Sequence, residues 1–148
     1  DRQALIEGLI DGTIDIIATD HAPHTDYEKD VELCYAPMGI TGLETLLPIS
    51  LEVLYHSKKL ELPSLLRRIT EKPAKICNLN AGTLSAGAAA DIAVFDPDKQ
   101  WVYRPDTALS RSHNSPWMNR PLRGQVQATF VGGRCVFKDG KVIPKTGA

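Results

Sequence analysis

Two different periods run through the apolar positions of this chain. In residues 2–10, Ala4, Leu5, Leu9 and Ile10 recur at helical spacing, and Asp11-Gly12 punctuates the run. "TIDIIAT" (13–19) follows, short and β-branched before a loop, as a buried strand would be. Helix, tight turn and strand make the rhythm of an α/β unit. Residues 25–40 read as a long loop, polar and flexible over "TDYEKD" and tighter at "APMGITG". A helix is expected from Thr41, whose spacing to Glu44 is that of a capping box. Leu43, Leu46, Leu47, Leu51, Leu54 and Tyr55 continue it, and Pro48, which lacks an amide donor, predicts a kink. A second helix is predicted from Pro63 to about Thr70, and a third from Pro73 through "AKICNL".

From Gly82 the pattern changes. "GTLSAGAAADIAVFDPDKQWVY" has short apolar runs separated by Gly and Asp-Pro turns. "GQVQATFVGGRCVFKDGKVI" reads as strand, Gly-Gly turn, strand, Asp-Gly turn, strand. Val126, Ala128 and Phe130 alternate with polar residues, the mark of a half-buried antiparallel sheet. An irregular loop, "SRSHNSPWMNRPLR", lies between the two β stretches. The chain therefore divides into an α/β unit, residues 1–81, and a small all-β unit, residues 82–148. Neither is complete by itself. A single buried strand of the parallel kind needs neighbours from residues outside this chain or from another chain.

Composition narrows the class. The chain has 148 residues, 43% hydrophobic and 24% charged, with a net charge of −1, which is ordinary for a globular protein. No basic stripe favours nucleic acid, and no apolar run is long enough to span a bilayer. The first residues show no signal-peptide pattern. Cys34, Cys77 and Cys135 lie far apart without a C-x-x-C pair, which argues against a disulfide framework or zinc ribbon and for a reducing, cytoplasmic setting. Cys77 is expected in the core and Cys34 on a loop.

Candidate chemistry gathers at "IATDHAPHTD" (17–26). Asp20 stands at the C-terminal end of the expected strand, where (β/α) barrels build their active sites. It reads as a general base or metal ligand, or equally as an Asx-turn or cap. His21 and His24 would align for a metal only on a helix, which Pro23 disfavours. His21 reads as an inward, hydrogen-bonded loop histidine, and His24 as a donor to an anionic substrate group. His56 is expected to be a solvated helix C-cap, and His113 a loop residue. No Ser-His-Asp set, P-loop or G-x-G-x-x-G occurs.

"DIIATDHAPH", "APMGITGLET", "EKPAKICNL", "AGTLSAGAAADIAVFDPDKQWV" and "NSPWMNRPLRGQVQATFVGGRCVF" together resemble the C-terminal third of the longer, bacterial-type dihydroorotases of the amidohydrolase superfamily. The resemblance runs from about Asp11 to Val142. It implies the C-terminal part of a (β/α)8 metal-dependent hydrolase barrel, residues 14–19 being its eighth strand, plus part of a small β-sandwich. The implied reaction is the reversible cyclisation of N-carbamoyl-L-aspartate to dihydroorotate in de novo pyrimidine biosynthesis, with zinc as cofactor. Asp20 matches a metal ligand that also shuttles the proton, His24 the residue that binds the substrate carboxylate, and Met38 and Gly39 positions that offer backbone groups to the substrate. His21 matches a position without an assigned role. The family's H-x-H motif, carboxylated lysine and two later metal histidines are absent, so the chain is expected to be a fragment, inactive alone. Alternatives are a non-catalytic dihydroorotase-like scaffold that packs against a partner such as aspartate transcarbamoylase, or another cyclic amidohydrolase, dihydropyrimidinase or allantoinase. The resemblance also admits a homo-oligomer. Asp20 and His24 favour the enzyme, and His24 favours an anionic substrate.

Overall fold

Helix α1 (Arg2–Asp11) ends at Gly12, whose φ of 90° turns the chain in the left-handed region. These features come from a computed structural model, which describes residues 1–145. The unit drawn from residue 82 to 148 thus ends in three residues, 146–148, outside the described ones. After α1, residues 14–20 form no ladder, contrary to the strand expected there, because no strand among the described residues lies beside them. A helix partly substitutes. Arg68 Nη1 donates to the carbonyls of Ile14 at 2.7 Å and Asp15 at 3.4 Å, and the Ile17 N–H donates to the Arg68 carbonyl at 3.2 Å. The segment pairs once, in a parallel bridge between His21 and Ile40, where the Ala22 N–H donates to the Ile40 carbonyl at 2.9 Å.

The stretch expected to be loop contains one helical turn, α2 (Asp26–Lys29), closed by a capping box of Thr25 and Glu28. Downstream, the Gly42 carbonyl accepts from Thr45 and Leu46 and leads into α3 (Leu46–Ser50). Pro48 falls in the first turn of α3, where a missing N–H costs little, so it does not break a helix interior. The irregularity lies after it, as a π-helical turn over Leu51–His56. Helix α4 spans Leu62–Ile69 with Pro63 in its first turn, and α5 spans Glu71–Ile76, opening two residues before Pro73. Ile6, Leu51, Leu54 and Leu65 form the buried core, with Leu9, Ile17, Leu47 and Phe95 among the residues packed on it. Cys77 is exposed rather than in that core, because it caps the end of α5.

The second unit is a four-stranded antiparallel meander of β1 (Ile92–Val102), β2 (Pro121–Val131), β3 (Arg134–Lys138) and β4 (Lys141–Val142). Its two tight turns fall where expected. Gly132, Gly133, Asp139 and Gly140 all have positive φ, as two-residue hairpin turns of this hand require. Asp96-Pro97 does not separate two strands. It bulges within β1, where the register passes from Asp96 opposite Gln125 to Gln100 opposite Arg123. His56 Nε2 donates to the Pro97 carbonyl on that bulge at 3.0 Å, so His56 ties helix to sheet and is not a solvated cap. Gly124, at φ 100°, lets β2 lie against buried Leu51, whose Cδ1 a Cβ there would overlap. The described residues hold one sheet, so the second layer of a sandwich is not among them.

Candidate functional site

Asp20, His24, Met38 and Gly39 come from two segments that the His21–Ile40 bridge holds side by side. Asp20 sits directly before that bridge with φ 45°, a conformation that Asp tolerates better than most residues. Its side chain is exposed, and its carboxylate accepts no hydrogen bond and joins no ion pair among the described residues. An Asx-turn or cap would have occupied that carboxylate, so the purely structural reading of Asp20 loses its support.

His24 meets the 38–39 segment directly. Its Nε2 donates to the Met38 carbonyl at 2.9 Å, across fourteen residues of chain. The other ring nitrogen, Nδ1, lies 3.9 Å from a Glu28 carboxylate oxygen. Glu28 is committed to Thr25, accepting from its N–H at 2.8 Å and its hydroxyl at 2.9 Å. Those two hydrogen bonds hold the Glu28 carboxyl below the usual carboxylate range, with a smaller contribution from the nearby charges of His24 and Lys29. Lys29 Nζ donates to the Pro37 carbonyl, so the turn that carries Glu28 is also tied to the approach to Met38.

Gly39 is required for this arrangement. Its φ is 122°, and a Cβ would lie 2.5 Å from Ala22 Cβ and 3.3 Å from His24 Nε2. Both carbonyls of the pair are occupied, Met38 by His24 and Gly39 by the Asn114 side-chain amide at 2.8 Å. Their N–H groups engage no acceptor among the described residues, which leaves two donors available to an anion. The Met38 side chain is 91% exposed, so its backbone is what the fold fixes.

His21 turns inward, as a hydrogen-bonded loop histidine should. Its Nδ1 accepts from the N–H of Gly42 at 3.0 Å and approaches that of Leu43 at 3.4 Å. An accepting Nδ1 carries no proton, so the ring is neutral with its proton on Nε2. His21 therefore caps the helical turn that opens at Gly42. The expected Thr41–Glu44 capping box does not form. Glu44 accepts instead from the Tyr103 hydroxyl at 3.1 Å and from the N–H groups of Leu109 and Ser110, each at 3.1 Å or closer. Burial and then the Glu44 charge push the Tyr103 phenol above its ordinary value.

A cation at this site would find in Asp20 one free, exposed carboxylate just before the His21–Ile40 bridge, which fits a single ligand. Among the described residues no group of three or more His, Cys, Asp or Glu side chains stands close enough to hold a metal ion. His21 has its Nδ1 already filled. Sequence reasoning did not reach Asn114. The only signal was its place in the irregular "NSPW" loop, between strands that bring it to Gly39.

Residues 1–136 match the amidohydrolase family. The chain is 46% identical over 145 residues to a dihydroorotase of Elusimicrobium minutum, covering 98% of this chain and 34% of that protein. It is 48% identical over 138 residues to a dihydroorotase of Pelobacter propionicus, covering 93% of this chain and 32% of that protein. A solved L-hydantoinase (dihydropyrimidinase) from Arthrobacter aurescens superposes with a TM-score of 0.87 at 32% identity, covering 95% of this chain and 32% of that one. The chain thus spans about a third of the length of the curated relatives it matches.

Proposed function

The chain belongs to the amidohydrolase family, and on that footing we propose that it forms the C-terminal third of a dihydroorotase. Its fold class is the C-terminal part of a (β/α)8 barrel with a small antiparallel sheet. The reaction is the reversible cyclisation of N-carbamoyl-L-aspartate to dihydroorotate in pyrimidine biosynthesis. The observation that carries this reading is the juncture of two segments at His24. The His24 imidazole is bonded to the Met38 carbonyl, the N–H groups of Met38 and Gly39 are free among the described residues, and Asp20, with its unpaired carboxylate, directly precedes the bridge that joins the segments.

In the hydrolytic direction Asp20 accepts a proton from the water that attacks the ring carbonyl. It then delivers that proton to the departing amide nitrogen, so one carboxylate serves both halves of the step. A bound zinc would supply a water acidified to a pKa of about 7, with Asp20 as one of its ligands. The remaining ligands would come from residues outside this chain. His24 orients the substrate through its carboxylate. With Nε2 held by the Met38 carbonyl, Nδ1 is the ring nitrogen left to face that carboxylate. The Met38 and Gly39 backbone groups offer further contacts to the substrate. Exposed apolar side chains, among them Leu33, Tyr35 and Leu84, support contact with further polypeptide, in the first instance the rest of the barrel. The unpaired cysteines support a cytoplasmic setting.

The full-length protein should hydrolyse dihydroorotate and lose that activity on chelation. The likeness to an L-hydantoinase (dihydropyrimidinase) favours a second reading, a neutral cyclic amide as substrate. Turnover of a neutral dihydropyrimidine with none of dihydroorotate would replace the first reading with the second.

A further inference from the structure

Asn114 lies in the connection between β1 and β2, in the second unit, yet it bonds the segment of the first unit that carries Met38 and Gly39. Its Nδ2 donates to the Gly39 carbonyl at 2.8 Å. Its own backbone carbonyl accepts from the Thr41 N–H at 3.0 Å and from the Thr41 hydroxyl at 3.4 Å. Residues 39 and 41 are alternate positions on one edge of a short extended segment. The intervening residue, Ile40, turns to the opposite edge and bonds Ala22. One residue thus satisfies the outer edge of that segment with one donor and one acceptor, as a neighbouring strand would. Thr41 is buried, so its N–H could not turn to water if Asn114 moved.

The consequence falls on the segment at His24. The Gly39 carbonyl and the Ile40 N–H belong to one planar trans peptide, so fixing the carbonyl on Asn114 aims the N–H at the residue 20–22 segment. The Met38 carbonyl is fixed on His24 in the same way. Both peptides around Gly39 are held, one from each unit, and Gly39 without a Cβ has no side-chain preference of its own to hold them. We infer that Asn114 is a positioning residue that sets the peptide on the C-terminal side of Gly39, next to the one His24 holds, and hence how tightly the site takes an anionic substrate. This inference rests on the dihydroorotase reading for its substrate, but not for its geometry.

The test is Asn114→Asp in the full-length protein, with Asn114→Ala beside it. Asp is isosteric but turns the donor into an acceptor facing the Gly39 carbonyl. The expected result is a rise of about tenfold in KM for dihydroorotate, the scale of one buried hydrogen bond replaced by repulsion, with kcat within about threefold of the parent. Turnover of a neutral dihydropyrimidine should change by less than about threefold. Amide exchange at Ile40 and Thr41 should accelerate while the midpoint of thermal unfolding stays within a few degrees. Losses in kcat with KM unchanged, or equal losses for charged and neutral substrates, would overturn the inference and make Asn114 a residue of the fold alone. If the parent protein does not turn over dihydroorotate, the functional reading fails on that control. The inference is then decided by exchange, and unaltered rates at Ile40 and Thr41 in Asn114→Asp would overturn it.

Discussion

Gly39→Ala perturbs the juncture of the 38–39 segment with Ala22 and His24 by a single methyl group. At φ 122° an L-residue carries backbone strain of order 1–3 kcal/mol. The new Cβ would also lie 2.5 Å from Ala22 Cβ, where carbon atoms rest at about 3.5–4.0 Å. About 1 Å must therefore be found by moving backbone, and overpacking of that kind costs about 1–3 kcal/mol. The smaller estimates sum to about 2 kcal/mol. The cheapest escape is for the 38–39 segment to swing outward, which breaks the bond from His24 to Met38 and scatters the free N–H groups. The loss should then appear in substrate binding. We expect kcat/KM for dihydroorotate to fall by at least about thirtyfold in the full-length protein. Ala22→Gly removes the opposing methyl group and leaves the φ strain. In the double variant, measured against Ala22→Gly alone, about a fivefold or greater part of that loss should return. Unchanged KM in Gly39→Ala, or no return in the double variant, would refute the close approach as the cause.

His24→Ala should weaken turnover of dihydroorotate far more than that of a neutral dihydropyrimidine, by a charge-assisted hydrogen bond of about 1.5–3 kcal/mol. Asp20→Ala should abolish both, since proton transfer serves either ring, and kcat/KM for the two substrates in the two variants separates the roles. The 148-residue chain by itself should bind zinc weakly and show no turnover, because Asp20 is its one proposed ligand; stoichiometric tight zinc by metal analysis would contradict this. Glu28 is held below the usual carboxylate range, so its cap on α2 is intact at neutral pH and is lost as the pH falls through that lowered value. Amide exchange over residues 26–29, corrected for its intrinsic pH dependence, should accelerate on acidification, and Glu28→Gln should remove the effect. At neutral pH, residues 25–34 should exchange faster than 36–42, which are bonded from both sides; uniform protection would count against the proposed anchoring.

Local chemistry was legible in the sequence wherever its partners were also local. The α1 terminus at Gly12 and both hairpin turns rest on residues within a few positions of each other, and they formed as expected. The same Thr-x-x-Glu spacing occurs twice, and only one copy makes a box. At Thr25 and Glu28 no distant group competes, and the reciprocal bonds close. At Thr41 and Glu44 the carboxylate is claimed by donors from residues 103–110, and the hydroxyl by Asn114, so long-range contacts override the motif. Residues 14–20 have the composition of a central strand, but composition cannot supply the neighbouring strands a ladder needs. At the site, the resemblance marks His24, Met38 and Gly39 as separate positions, and the bond from His24 to Met38 appears only in the fold. The cap made by His21 and the bond from Asn114 could not be read, because each pairs residues with no sequence period in common.

The bond from Asn114 to Gly39 joins residues 75 positions apart, and this sets an order in time during synthesis. A ribosome adding about 5–20 residues per second delivers Asn114 roughly 4–15 s after Gly39. Through that interval the 38–41 segment can have only the His24 side of its support, and Thr41 lacks the Asn114 carbonyl for its N–H. Completion of this support is thus governed by when the β1–β2 connection is made, and a nascent chain arrested before residue 114 would carry every proposed site side chain yet lack the bond that fixes the Gly39 carbonyl.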